Sequence, residues 1–207
     1  MSVLMKIAFY QGIRDETPNQ ELARELVSAK NAEGVKEIAE HLWDKNANVS
    51  SDCIKVLYET GYIAPDLIAP YAQDFIKLLH SKQNRLIWGA MIALSTIAPL
   101  AAADLFEKRD LLIKAISQGS VITQDGGIKT LAQVAAVDQV YLDELNPFLM
   151  NFLRTCRISD LPRHAEFIVP CVNDSNRHEL LTILQERLLH MTPSQAKRII
   201  KIQKMFI

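Results

Sequence analysis

Met91-Ile92-Ala93-Leu94-Ser95-Thr96-Ile97-Ala98-Pro99-Leu100-Ala101-Ala102-Ala103-Asp104-Leu105 is the middle copy of a pattern that fills residues 57 to 153 three times without a gap. Leu94 is preceded by Leu57 and followed by Leu131, each 37 residues away. In the same frame fall Ile54, Met91 and Ile128; Ile63, Leu100 and Val137; and Ile68, Leu105 and Leu142. Phe75, Leu112 and Leu149; Ile76, Ile113 and Met150; and Leu79, Ile116 and Leu153 complete seven columns that are apolar in every copy. A period between about 20 and 50 residues is the mark of a stacked solenoid.

Within one copy the apolar positions form two clusters. Steps of three and four at 54, 57 and 61 describe one face of a helix, and 68, 75, 76 and 79 describe a second. Between them lies a breaker: Pro65, then Pro99, then Asp138-Gln139. Each copy therefore reads as helix, short turn, helix. Neither stripe can be buried alone, so the copies must stack.

The residues that join the copies resemble HEAT repeats. Leu78-Leu79, then Asn84-Arg85-Leu86, then Ala93-Leu94 is similar to the join between two such repeats, and Ile63-Ala64-Pro65-Asp66-Leu67-Ile68 to the turn inside one. Arg85 matches the usual HEAT arginine, whereas Asn48 and Ile122 stand at that place in the neighbouring frames. The proline often found inside the first HEAT helix is missing, so a mixed HEAT/armadillo-like label fits best. The resemblance covers residues 20 to 190 as architecture and 48 to 157 closely. It implies an all-α, right-handed α-α superhelix of about five helix pairs plus a C-terminal helix. It speaks for the fold and little for function.

Composition agrees. A chain of 207 residues exceeds a typical compact domain, but a solenoid grows in one dimension, and residues 1–207 read as one repeat domain. Seven Gly and eight Pro suggest no long linker, and a net charge of −1 gives no general attraction to nucleic acid. Cys53, Cys156 and Cys171 are scattered without a CxxC, which fits a reducing cytoplasm. The apolar start, Met1 to Gln11, is short, carries Lys6 and lacks a small-residue cleavage site, so it is not read as a signal peptide.

Residues 1–18 form a lead-in with loop chemistry at Gly12 to Asn19. Asn19 is expected to cap a helix whose buried side is Leu22, Leu26 and Ala29. Val35, Ile38 and Leu42 define a second helix, completing a shortened first repeat with charged residues outward. Gly61, Ala98 and Ala135 share a column, predicting close helix approach. Gln124-Asp125-Gly126-Gly127 interrupts the third copy. It reads either as a late helix start capped by Asp125 or as a spot where a partner's backbone approaches. After Leu153 the phase is lost. Asp174 or Ser175 is expected to cap a helix running to His190, and Thr192-Pro193-Ser194-Gln195 to open a last one through a capping box.

No catalytic motif is present: no GxSxG, GxxxxGK[ST], HExxH or GxGxxG. Cys171, Asp174 and His178 have a passing likeness to metal-ligand spacing, but their places at a helix end, cap and first turn account for them. No enzyme activity, metal or cofactor is therefore expected. The resemblance implies that second helices line a concave groove. By phase, Pro70, Glu107 and Glu144 form one groove column, Gln73, Asp110 and Pro147 another, and Lys77, Lys114 and Asn151 a third. The expected partner-binding set is Gln73, Lys77, Glu107, Asp110, Lys114, Glu144 and Asn151. Its mixed charge suits a protein or peptide better than a phosphate backbone.

The alternative is a nucleic-acid-binding or DNA-repair protein, because bacterial alkylpurine-type DNA glycosylases are similar to HEAT repeats. Those resemblances imply a basic, aromatic concave face. Here Trp43 and Trp88 are the only tryptophans, and Trp88 falls on a first helix. The C-terminal helix (192–207), basic at Lys197, Arg198, Lys201 and Lys204, reads as a cap of the array, a docking element or a weak contact for an anionic surface.

Overall fold

The repeat resolves, in a computed structural model that describes residues 2–206, into α-helices joined by short 3-10 turns, with no strand among the described residues. In chain order the helices are α1 (Ala8–Gln11), α2 (Thr17–Ser28), α3 (Ala32–Glu40), α4 (Ala47–Ile63), α5 (Ala72–Leu78), α6 (Asn84–Ile97) and α7 (Ala102–Glu107). They continue as α8 (Arg109–Gln118), α9 (Val121–Ala135), α10 (Gln139–Thr155), α11 (Leu161–Ile168), α12 (Arg177–Arg187) and α13 (Pro193–Gln203). The chain divides into two compact units, residues Met1–Gly127 and Ile128–Ile207.

In the first unit α2, α4 and α6 lie side by side as one layer of first helices, and α3 and α5 pack onto that layer. Five of the seven apolar columns are buried in all three copies, and in a sixth only Ile113 is half-buried. The seventh differs from the other six. Ile63, Leu100 and Val137 are 53%, 52% and 51% exposed. They sit where the first helix ends and the chain turns, so their apolar character does not serve the core.

Gly61 shows why its column must be small. A Cβ there would come within 2.2 Å of Thr96 Oγ1 and 2.6 Å of Ile68 Cδ1, so α4 and α6 touch directly. The Gly126-Gly127 pair does the same work inside an unbroken α9, which begins at Val121 and runs straight through Asp125. A Cβ on Gly127 would lie 2.2 Å from Ile116 Cγ1, and one on Gly126 would lie 3.1 Å from the Met91 carbonyl. The helix is thus neither late nor capped by Asp125. The close approach is to the protein's own neighbouring helices.

Asn19 is likewise no cap. It lies within α2, fully buried, accepting the Ala8 backbone N–H at 2.9 Å and donating to Asp52 Oδ1 at 2.9 Å. Asp52 Oδ2 accepts the Phe9 N–H at 2.8 Å. One buried amide thereby fastens the lead-in to α2 and α4, and Val3, Leu4, Ile7 and Ala8 of that lead-in join the core. Ala29 is exposed, and Ala23 takes the buried place instead.

The second unit relies on polar closures. Asp138 accepts the Val140 N–H at 2.7 Å to start α10, and Pro147 sits inside that helix. Ahead of α12 the turn is knotted by Asn173 and Asn176 rather than by Asp174 or Ser175: Asn176 Oδ1 accepts the Asn173 N–H at 2.9 Å, and Asn173 Oδ1 accepts the Ser175 N–H at 2.9 Å. α13 opens on the expected capping box, with Thr192 and Gln195 each accepting the other's backbone N–H. Ile199 and Ile202 of α13 are buried.

Candidate protein-interaction surface

The side chains that face outward on the second helices are set by what faces inward. On α5, Phe75, Ile76 and Leu78 are buried, leaving Gln73 and Lys77, one turn apart, in solvent. On α8, Leu112 and Ile116 are buried and Asp110 and Lys114 exposed, with Glu107 exposed at the end of α7. On α10, burial of Leu142, Leu145, Leu149, Met150 and Leu153 leaves Glu144 and Asn151 outside. All seven expected residues are therefore exposed, five on the first unit and two on the second.

The charges of Lys77 and Glu107 have nearby partners. Lys77 Nζ lies 3.8 Å from Asp74, a loose pair. Glu107 holds Lys108 Nζ at 2.8 Å, and that hydrogen bond, with the attraction of the charge, lowers the Glu107 carboxyl below its ordinary value. Arg109 lies with its guanidinium 4.6 Å from the Phe106 ring centre. The surface presents both signs at short range, a pattern for protein side chains rather than for a uniform polyanion.

The groups singled out from the sequence are held by burial and by their neighbours. Burial pushes the Cys156 thiol up to about 11 and Cys171 up to about 12, and raises Cys53 further, so none is a thiolate at neutral pH. Cys171 Sγ donates to the Ile168 carbonyl at 3.2 Å, and Asp174 pairs with Arg177 at 3.1 Å. Among the described residues no three His, Cys, Asp or Glu side chains come together as a metal site. Trp88 lies on α6 with its ring tilted 6.2 Å from that of Tyr58, and the Arg85 guanidinium lies 5.9 Å from it.

One cluster escaped the sequence reading. Lys55 stands in the core phase of α4 and is buried, yet its Nζ meets Glu16 at 2.8 Å and Glu59 at 2.7 Å and lies over the Tyr58 ring. Burial works against the ammonium, but its hydrogen bonds to Glu16 and Glu59 outweigh that and hold its pKa above the ordinary lysine value. Glu16 also accepts from Arg85 at 3.0 Å, so the lead-in loop, α4 and α6 share one carboxylate. The only local signal was the Lys55–Glu59 spacing of one helical turn; Glu16 is too distant in sequence to be read.

No family model matches the chain, and no curated protein matches it. Solved structures do. An engineered protein aligns with 98% of this chain and 95% of its own at 17% identity and a TM-score of 0.70. A designed armadillo repeat protein in complex with the peptide (KR)4 covers 89% of this chain and 86% of its own, at 15% identity and a TM-score of 0.67. Kap121p bound to Pho4p covers 91% of this chain at 16% identity and a TM-score of 0.64, and the matched region is 21% of Kap121p. No helix among the described residues is long and apolar enough to cross a membrane. At these identities the likeness concerns architecture: the chain has an all-α, HEAT/armadillo-like helical-repeat fold.

Proposed function

We propose that the chain is a non-catalytic scaffold that holds a protein or peptide segment on the exposed side of its second helices. The observation that carries this reading is the uniform exposure of Gln73, Lys77, Glu107, Asp110, Lys114, Glu144 and Asn151 at positions fixed by the repeat phase. A partner of mixed charge, with basic side chains opposite Glu107, Asp110 and Glu144, fits them. That an armadillo design of similar fold binds a basic peptide supports this reading. The free cysteines are compatible with work in the cytoplasm. In the same reading α13 closes the array, since a solenoid end needs a wettable face.

The test is purification of the tagged chain from its native lysate with and without nuclease, followed by affinity measurement on the recovered partner. A stoichiometric polypeptide that survives nuclease is expected. Substituting Glu107, Asp110 and Glu144 together by Lys should then abolish its binding while the helical circular-dichroism signal persists. Nucleic acid recovered at low salt and lost at moderate salt would instead replace the protein-scaffold reading.

A further inference from the structure

The column at Ile63, Leu100 and Val137 leaves about half of each side chain in solvent, and the sequence around it is unusual in charge. Residues 56–76, 86–107 and 130–153 contain no Lys, Arg or His, yet each stretch includes an inter-helix turn and acidic side chains. In the first unit the last residues of α4 and the turn after them expose Tyr62, Ile63 and Asp66, and the turn after α6 with the start of α7 exposes Leu100 and Asp104. The two helix ends meet directly where Gly61 lies against Thr96, so the turns belong to one edge. Asp66 and Asp104 make no ion pair among the described residues. The turn after α9 repeats the composition with Val137, Asp138, Val140 and Asp143.

Single exposed apolar side chains need no explanation. An apolar position kept in every copy, half exposed in every copy and set in a stretch of sequence whose only charges are carboxylates does. Water-facing turns gain nothing from Ile, Leu or Val, whereas a partner gains apolar area and an electrostatic match.

We propose that the inter-helix turn edge of the first unit, built on Tyr62, Ile63 and Leu100 with Asp66 and Asp104, docks an amphipathic segment in which Lys or Arg alternates with apolar side chains. The apolar side chains of that segment cover Ile63 and Leu100, and its cations reach the two free carboxylates. This surface adjoins the second-helix residues above only where Asp104 and Glu107 share α7; Tyr62, Ile63, Leu100 and Asp66 lie outside that set.

The experiment is fluorescence anisotropy on the full chain with a labelled amphipathic helical peptide of Lys, Arg, Leu and Ala. Two control peptides carry Glu for every cation, or Ser for every Leu. The basic amphipathic peptide should bind, and both controls should bind at least about tenfold more weakly. The double variant Ile63→Ser, Leu100→Ser and the double variant Asp66→Lys, Asp104→Lys should each lose about tenfold in affinity, the second also losing salt dependence. Because all four positions are exposed, both variants should keep the wild-type melting temperature. Glu107→Lys with Asp110→Lys, which alters only a neighbour of Asp104 one helical turn away, should cost less affinity than the Asp66→Lys, Asp104→Lys pair. Absence of wild-type binding, binding untouched by both edge variants, or binding lost only in the Glu107/Asp110 variant would overturn the proposal. So would concentration-dependent self-association in sedimentation that the serine pair abolishes, which would assign the edge to a second copy.

Discussion

The two units hold their helices by different means. In residues 1–127 the first helices stack through repeated, fully buried columns, and the buried Asn19 and Lys55 tie the lead-in to that stack. In residues 128–207 the regular period gives out after Leu153, and there charged side chains satisfy helix ends. Arg187 of α12 donates to the carbonyls of Leu153 at 2.8 Å, Cys156 at 2.7 Å and Arg154, which are the unpaired end of α10. Glu179 accepts from Asn146 at 3.1 Å and Arg154 at 2.7 Å, and Arg198 grips Glu166 with two bonds at 2.8 and 2.7 Å. Repetition lets apolar area hold the array together. Where repetition stops, each helix end needs its own partner.

The comparison breaks most visibly in the core of the first unit. Leu94 is fully buried on α6, so Leu94→Ala should cost about 2–5 kcal/mol through lost transfer energy and the cavity left behind. Urea or thermal melting reads it, at roughly 2–4 °C per kcal/mol for a chain of this size. Leu100→Ser, in an equally regular column, should shift the melting point by far less, because half of Leu100 already meets water. Equal losses at the two positions would refute the separation of core and edge columns.

That separation also marks where sequence reading ends. The period identified the helix pairs, the Gly61 column and the capping box, because each depends on residues a few positions apart. It grouped Ile63, Leu100 and Val137 with the other apolar columns, because an apolar residue at a helix end looks the same whether it points into the stack or away from it. Asn19 read as a cap because its true partners, Ala8 and Asp52, are defined only by the fold. The Gly126-Gly127 pair read as a break because low helix propensity was visible and the nearness of Met91 and Ile116 was not. Among the candidate interaction residues, exposure was legible from phase. The ion pair that engages Glu107 needed a structure.

A smaller effect, of about 2–3 kcal/mol, is expected from Arg187→Met in the second unit. Methionine keeps much of the stem's apolar cover but leaves three carbonyls at the α10 C-terminus without their donor, and removes a cation from the negative end of the helix dipole. Hydrogen exchange should show the last turn of α10 losing protection. If protection there and global stability are both unchanged, Arg187 acts through the cover of its stem alone, which methionine keeps.

The smallest effect tests whether the α11–α13 clasp matters at all. Both side chains of the Arg198–Glu166 pair are nearly half exposed, so solvent screening keeps its contribution small. Its sign is nevertheless fixed. The Arg198 hydrogen bonds outweigh partial burial and hold the Glu166 carboxyl below its ordinary value. A carboxylate with a depressed folded pKa stabilises above the unfolded value near 4.5, and that stability is lost as pH falls through the folded pKa. Melting of the wild type and of Glu166→Gln should therefore differ slightly at pH 7 and converge in acid, with raised salt shrinking the gap at neutral pH. A gap that persists below pH 3 would mean that the carboxylate charge is irrelevant. In that case Ile199 and Ile202, buried on the same helix, fix α13 without help from the clasp.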